Sequence, residues 1–367
     1  MKKPIYVTEP FMPPLEEVFS QLKGIWDRKW LTNQGPLVRE LESKLQHYHT
    51  LETPVHCLAN CGLGLQIALK ALGIKGEVIT TPFSYVATSS CPLWEGCTLR
   101  FADIDPQHLT IDADAVEAAI TPATEAIMAT HVFGNACEVE KLERIARKHG
   151  LAIIYDAAHA FGVRHRDKSL LAYGDVSVVS THATKLFHTV EGGFFVATDD
   201  ALSEKMEQMR RFGHNGPYAF HGIGINAKMS ELHAAIGLTN LQHMDRIIES
   251  RKRMCQSYEK TLFSEGSPLS PGIRYRAETT RNYSYFPVLF ESEAALLEAV
   301  THLEANAISP RRYFYPHLND VFPQASAAND CPHARSITPR ILCLPLSSNY
   351  GEDVVRKVVS LLVPSKS

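Results

Sequence analysis

Between Glu77 and Thr198 the chain repeats one pattern, a short apolar run, a polar loop and a helix-like stretch. No other feature limits the fold as much. EVITTPFSYVATSS, FADIDPQHLTIDADAVEAAI and AIMATHVFGNACEVEKLERIARKHG follow one another in this form. Apolar runs of this length, bounded by turn residues, read as buried strands. Strands alternating with helices argue for an α/β fold, a mixed and mostly parallel sheet with helices on both faces. Upstream, HCLANCGLGLQIALKALGI has the same order: a strand-like entry, a glycine-bearing turn, then Leu65, Ala68, Leu69 and Leu72 at helical spacing. The amides at such a helix start form an anion site, helped by the helix dipole.

The chemistry concentrates in Gly174–Thr198, GDVSVVSTHATKLFHTVEGGFFVAT. Two strand-like runs, VSVVST and GGFFVAT, enclose a polar loop that presents Lys185 among Ser180, Thr181, His182, Thr184, His188 and Thr189. A lysine at the mouth of a core loses its proton more easily, because desolvation disfavours the ammonium form. It can then attack an aldehyde as a free amine. Just upstream, LAIIYDAAHAFG ends an apolar run in Asp156, with His159 following. A carboxylate at the carboxyl end of a buried strand sits where open α/β sheets bind ligands. Pyridoxal phosphate needs a reactive lysine for its aldehyde and an acidic partner for its pyridinium nitrogen. Lys185 and Asp156 supply that pair.

These elements carry a resemblance. YDAAHAFG, then GDVSVVSTHATK, then EGG resembles the DegT-type nucleotide-sugar aminotransferases, a family of fold-type I pyridoxal-phosphate enzymes. The family pattern is Asp-Ala-Ala-(Gln/His)-Ala, a Ser-x-x-x-x-Lys loop and a Glu-Gly-Gly close. The likeness extends from WLTNQGPLVRELE near the start to ILCLPLSSNYGEDVV near the end.

The resemblance implies roles for particular residues. Lys185 would carry the cofactor aldehyde and shuttle the proton, Asp156 would hold the pyridine nitrogen, and Tyr85 would stack on the ring. His159 would sit near the phenolic oxygen. Ser180 and the amides of Gly62 and Leu63 would hold the phosphate; the family usually has Gly-Thr at the latter pair, so a hydroxyl is missing here. Asn226 matches a residue that crosses a dimer interface to the neighbour's phosphate, with Lys228 in place of the usual arginine. An N-cap for the next helix is the plainer role for Asn226. Thr32 and Asn33 resemble substrate-side positions, or form a capping turn before VRELESKLQHYH. In ISPRRYFYP, Arg311, Arg312, Tyr313 and Tyr315 are candidates for binding the sugar nucleotide or the donor carboxylate. His131 and Asn135 lie at a strand end, where loop hydrogen bonding is the favoured reading.

A homodimer with shared sites is implied, with glutamate as donor and a nucleotide sugar as acceptor. The close HATKLFHTVEGG resembles enzymes that aminate C4 of a 4-keto-6-deoxyhexose, nearest to the dTDP-4-amino-4,6-dideoxyglucose transaminases. The C3-aminating subgroup reads Lys-Asn-Leu-Gly-Ala with Gly-Asp-x-Gly, which this chain lacks. Related sugar dehydratases replace the lysine with histidine. A non-enzymatic sensor is the remaining alternative, and it would require an added DNA-binding domain.

The 367 residues allow a large α/β domain with an N-terminal arm, 1–240, and a smaller carboxyl-terminal α+β domain, 241–367. Residues 1–14 read as an irregular arm, Leu15 to Trp26 as a helix, and the stretch from MEQMRRFGHNG to ESRKRM as mostly long helix after a glycine-rich entry. A net charge of −3 makes no case for nucleic acid or an anionic membrane. The start, MKKPIYVTEPFMPP, lacks the apolar core of a signal peptide, and Cys57, Cys61, Cys91 and Cys97 read as buried thiols, so a cytoplasmic location is expected.

Overall fold

The computed structural model describes residues 4–263, 267–325 and 330–363. Seven strands form the central sheet: β1 (Val55–Leu58), β2 (Glu77–Thr80), β3 (Thr98–Phe101), β4 (Thr124–Thr130), β5 (Ala152–Asp156), β6 (Val176–Ser180) and β7 (Gly193–Ala197). Their spatial order is β1-β7-β6-β5-β4-β2-β3. β7 runs antiparallel to both neighbours, and the other adjacent pairs are parallel. All residues of β2, β6 and β7 are buried, as expected where helices cover both faces of a sheet.

Successive strand residues enter two different cores. Ile153, Tyr155, Val179 and Phe194 pack on one face with helices α1 (Leu15–Arg28), α2 (Pro36–His49) and others. Ile154, Val178 and Phe195 pack on the other with α3 (Cys61–Leu72) and α4 (Ala87–Trp94). A side chain on Gly64 would meet Val178 Cγ1 at 2.5 Å and Leu58 Cδ1 at 2.6 Å, so this glycine lets α3 sit directly on the sheet.

Register lines up the functional strand ends. Thr130 of β4 pairs with Asp156 of β5, Asp156 pairs with Val178 of β6, and Ser180 at the end of β6 faces Gly193. The cavity opens there.

Beyond the sheet, α5 (Asp200–Met209), α6 (Glu231–Leu241) and α7 (Met244–Leu262) replace the expected long helix. Residues 211–229 between the first two are not helical. The break at Gln242–His243 follows Asn240, whose side-chain amide donates to His188 O at 2.9 Å and ties the end of α6 to the lysine loop. A third core contains Met254, Tyr258, Phe286, Leu296, Leu342 and Val358. It is built on α7, α8 (Glu293–Ala305), α9 (Glu352–Leu362) and a small antiparallel sheet of residues 270–271, 287–289 and 341–343. The amino-terminal arm holds more structure than its prolines suggested. Ile5–Tyr6 pairs in parallel with Ile308–Ser309, and Leu346 N donates to Val7 O. Among the described residues, no helix is long and apolar enough to cross a membrane.

Candidate active site

A cavity of about 320 Å³ lies at the carboxyl ends of β4, β5 and β6, walled by the start of α3, the lysine loop and Arg311, Tyr313 and Phe314. Lys185, Asp156, His159, Ser180, Gly62, Tyr85, Arg311 and Tyr313 all line it. Sequence positions from 62 to 313 therefore meet in one place.

The lysine loop is the β6–β7 connection, and its own polar residues hold it. Thr181 N donates to Gly192 O and Thr189 N to Thr181 O, while the Thr181 and Thr189 hydroxyls share a hydrogen bond of 2.7 Å. His188 Nε2 reaches Phe11 O at 2.8 Å, fastening the loop to the amino-terminal arm. Lys185 N donates to His182 O at 2.9 Å, a tight turn that points the side chain into the cavity. Burial pushes the Lys185 ammonium below its ordinary pKa, and the charge of Asp156 opposes that shift without cancelling it.

Asp156 ends β5 and is 4% exposed. Thr88 Oγ1 donates to its Oδ2 at 2.7 Å and Ala158 N to its Oδ1 at 3.1 Å. Burial raises its pKa above the ordinary carboxylate value, offset in part by these two donors and by Lys185. Thr88 belongs to a hydroxyl cluster. Ser84 Oγ lies 2.8 Å from Thr88 Oγ1 and 2.9 Å from Thr130 Oγ1. Ser84, Thr88 and Thr130 were not anticipated as site residues, although TTPFSYVATSS shows the polar density that could have marked them.

His159 belongs to a cluster of three nearly parallel rings, with Phe314 at 5.8 Å and 7° and Phe133 at 6.2 Å and 6°, and these two 5.8 Å from each other. Phe133 N donates to Nδ1 at 3.1 Å. Burial and the charge of Lys185 hold its pKa well below the usual range, so the ring is neutral and its proton sits on Nε2.

At the start of α3, Asn60 is the N-cap and its Oδ1 accepts from Leu63 N at 2.9 Å. Leu63 lies outside the cavity and its amide is spent on the cap, so of the expected pair only Gly62 faces the site. The first amides of a helix lack intrahelical partners, and Cys61 and Gly62 at this position line the cavity. Gly193 keeps this corner tight, since a Cβ there would meet Cys61 N at 2.9 Å.

Other expected site residues stand elsewhere. Thr32 and Asn33 are exposed, outside the cavity. They do not cap α2 either. Its N-cap is Gly35, and the buried Glu231 carboxylate accepts from Leu37 N at 3.0 Å and Val38 N at 2.9 Å. Asn226 is exposed and accepts from Lys228 Nζ at 2.6 Å, while Ser230 caps the next helix. Arg312 turns away from the cavity, donating to Glu293 Oε1 at 2.5 Å and Pro339 O at 3.1 Å, with its guanidinium 3.6 Å from the Tyr315 ring centre. Asn135 bonds the loops at His108, Arg274 and Arg276, and His131 stacks on Tyr155, so both are structural.

The cavity fits pyridoxal phosphate on its own features. Asp156 is a buried carboxylate whose two protein partners at hydrogen-bond distance are neutral donors, a setting that a pyridinium N–H would complete. Lys185 has the lowered basicity an aldehyde requires, and the α3 start with Ser180 offers neutral donors for a phosphate. Tyr85, 59% exposed, presents an open aromatic face at the mouth.

The model of the DegT/DnrJ/EryC1/StrS aminotransferase family matches residues 15–363. A dTDP-4-amino-4,6-dideoxy-D-glucose transaminase of Shigella dysenteriae is 41% identical over 366 residues, covering 99% of each chain. One of the same name from Escherichia coli is 37% identical over 372 residues, covering 98% of each. Among solved structures, DesI in the presence of its TDP-sugar product superposes with a TM-score of 0.92 at 32% identity, over 99% of this chain and 93% of that one. Aminotransferases of this family use pyridoxal phosphate. Fold, cavity and sequence agree: the chain belongs to the DegT/DnrJ/EryC1/StrS aminotransferase family.

Proposed function

We propose that this chain moves the amino group of glutamate to C4 of a nucleotide-linked 4-keto-6-deoxyhexose, with dTDP-4-dehydro-6-deoxyglucose as the acceptor. The observation that carries the reading is the convergence of Lys185 and Asp156, each shifted by burial and coupled to the other's charge, in one cavity. The names of the two transaminase relatives support the choice of sugar.

Bound here, pyridoxal phosphate supplies an electron sink that makes the donor's α-proton acidic. The protein does the rest. Lys185 Nζ, its basicity lowered by burial, is the group in the cavity that would take the donor's α-proton and give it back. Asp156 holds the ring nitrogen in its protonated form, and Thr88 and Ala158 fix the plane of the carboxylate. His159 offers Nε2–H as a neutral donor to the phenolic oxygen. Gly62 and Ser180 hold the phosphate, and Tyr85 covers one face of the ring.

The lysine supports transamination over dehydration, since the dehydratase relatives carry histidine at that place. Regiochemistry follows from the loop. His188 and Thr189 are buried beneath it and tied to Phe11 and Thr181, so they set where Lys185 stands. Moving from C4 to C3 displaces the reacting carbon by about one bond length, and misplacements of ~1 Å cost on the order of a hundredfold.

The site is completed in a homodimer. Phe212, Tyr218, Phe220 and Ile223 are 50%, 94%, 61% and 89% exposed in one segment beside Asn226, an apolar surface suited to burial against a second copy. Asn226, exposed and outside its own cavity's lining, would serve the phosphate of a second copy. Residues 1–240 form the cofactor-holding part and 241–367 the smaller part, and the reaction is cytoplasmic.

The test supplies dTDP-4-dehydro-6-deoxyglucose and glutamate to the holoenzyme and locates the new C–N bond by NMR. Amination at C4 is expected. Turnover of a 3-keto isomer with none of the 4-keto sugar would refute the regiochemistry, and failure with every keto sugar nucleotide would refute the function.

A further inference from the structure

Two adjacent arginines at the cavity edge behave differently, and the difference separates their roles. Arg312 is locked to Glu293 and Pro339 and covers Tyr315. Arg311 is the guanidinium among the cavity's lining residues. Its backbone is fixed, with Arg311 N donating to Cys343 O at 3.2 Å and Cys343 N to Arg311 O at 2.8 Å. Its side chain is exposed, and among the described residues no carboxylate or carbonyl lies within hydrogen-bonding reach of it. The guanidinium stands 5.7 Å from the Tyr313 ring centre.

We infer that Arg311, with the Tyr313 hydroxyl, binds the α-carboxylate of the amino donor. This rests on the aminotransferase reading above and names a residue for its first half.

The choice of anion follows from distance to the reacting carbon. The donor's α-carboxylate is one bond from the carbon whose proton Lys185 takes. The acceptor's diphosphate is across the sugar ring from C4 and beyond the glycosidic oxygen. A cation lining the cavity, next to a phenol that senses the charge of Lys185, matches the first anion. Burial pushes the Tyr313 phenol up to about 12, so it stays a neutral O–H that can donate beside the guanidinium. A planar guanidinium takes a carboxylate through two parallel N–H bonds. During the acceptor half, an exposed side chain with no protein partner swings clear of the neutral hexose.

The two halves of the reaction can be run apart on the holoenzyme. Glutamate alone converts the cofactor to its pyridoxamine form, followed by absorbance; the keto sugar then converts it back. Arg311→Gln should lower the glutamate efficiency about 30- to 100-fold, mostly through weaker binding, as expected for losing a charged hydrogen-bonding partner. The acceptor half should stay within about threefold. Arg311→Lys should recover part of the loss. Calorimetry with glutarate, a dicarboxylate that cannot donate an amine, should show about tenfold weaker binding to Arg311→Gln. Glutamate efficiency within threefold of wild type, or an equal fall in both halves, would overturn the assignment while leaving the aminotransferase reading intact. A wild-type holoenzyme that no amino acid converts would overturn both.

Discussion

At the floor of the cavity, polar groups hold one another. Asp156 takes hydrogen bonds from Thr88 and Ala158, Thr88 leans on Ser84 and Thr130, and His159 packs beside Phe133 and Phe314 and accepts from Phe133 N. Thr130 and Asp156 end buried strands and Thr88 lies in the first turn of α4, while His159 sits in the turn that follows β5. At the rim, Tyr85 and Arg311 are exposed, and His182 pairs with Glu191 at 3.5 Å in solvent. In the proposed function the floor would face a cofactor ring that keeps its shape, so rigid donors lose nothing by being fixed in advance. The rim must admit an amino acid and then a sugar nucleotide. Adaptable side chains serve that alternation better than a fixed set.

The sharpest way to break this comparison is at Lys185. Lys185→Ala should abolish transfer, a loss of at least about 10⁴-fold, because the proposed mechanism has this residue both carry the cofactor and move the proton. Borohydride should fix the cofactor to the Lys185 peptide of the wild type, seen by mass spectrometry, and to no peptide of the variant. Transfer at a wild-type rate would remove the floor from the mechanism altogether.

Asp156→Asn comes next, with opposite effects on activity and stability. Transfer should fall on the order of a thousandfold, because the ring nitrogen loses its anionic partner. Stability without cofactor should move the other way. The folded pKa of Asp156 is raised, so the native state holds this proton more tightly than the unfolded chain does. That contribution is full below the ordinary carboxylate pKa and is lost as pH rises through the folded value. The amide has no such loss. The cofactor-free variant should therefore melt a few degrees higher at neutral pH, with the gap closing in acid. A gap of constant size across pH would show that the buried charge is not its source.

Within the floor, Thr88→Val removes one donor to Asp156 while keeping the volume. A hydrogen bond to a charged group contributes about 1.5–3 kcal/mol, so cofactor affinity should fall about 10- to 100-fold by spectral titration. An unchanged affinity would mean that Ala158 N alone orients the carboxylate.

The floor was also the more legible region. The runs ending in Asp156 and Ser180 and the enclosed Lys185 could be read because strands and reactive residues adjoin in sequence. What stayed hidden was long-range. Thr88 serves Asp156 across 68 positions and Glu231 caps α2 across more than 190, pairings that no local pattern encodes. The resemblance puts Leu63 in the phosphate cradle, at the place of the family's Gly-Thr turn, but the Asn60 side chain takes its amide. The helix break at Gln242–His243 follows Asn240, whose amide meets His188 O across 52 positions. At the rim, RRYF presented two equivalent arginines, and their different partners come from Glu293 and Pro339, which fold in from elsewhere.

Arg312 should give the smallest effect, confined to stability, and it sharpens the distinction between rim and support. Its Nη2 donates to Glu293 Oε1 and Pro339 O, and its guanidinium lies flat over Tyr315. The pair is half in water, with Arg312 18% exposed and Glu293 43%, so the Coulomb attraction is screened and the ion pair alone contributes less than about 1 kcal/mol. The cation–π contact adds about 0.5–1 kcal/mol at an exposed site. Glutamine keeps one donor for Pro339 O and loses the charge and the stacked plane. Arg312→Gln should therefore cost about 1 kcal/mol, read as a shift in the denaturant midpoint at constant slope. Raising the salt should narrow the difference, since the exposed part of the interaction is electrostatic. A cost above about 3 kcal/mol would place Arg312 in the load of the third core rather than at its edge, and the contrast with the free guanidinium of Arg311 would have to be drawn elsewhere.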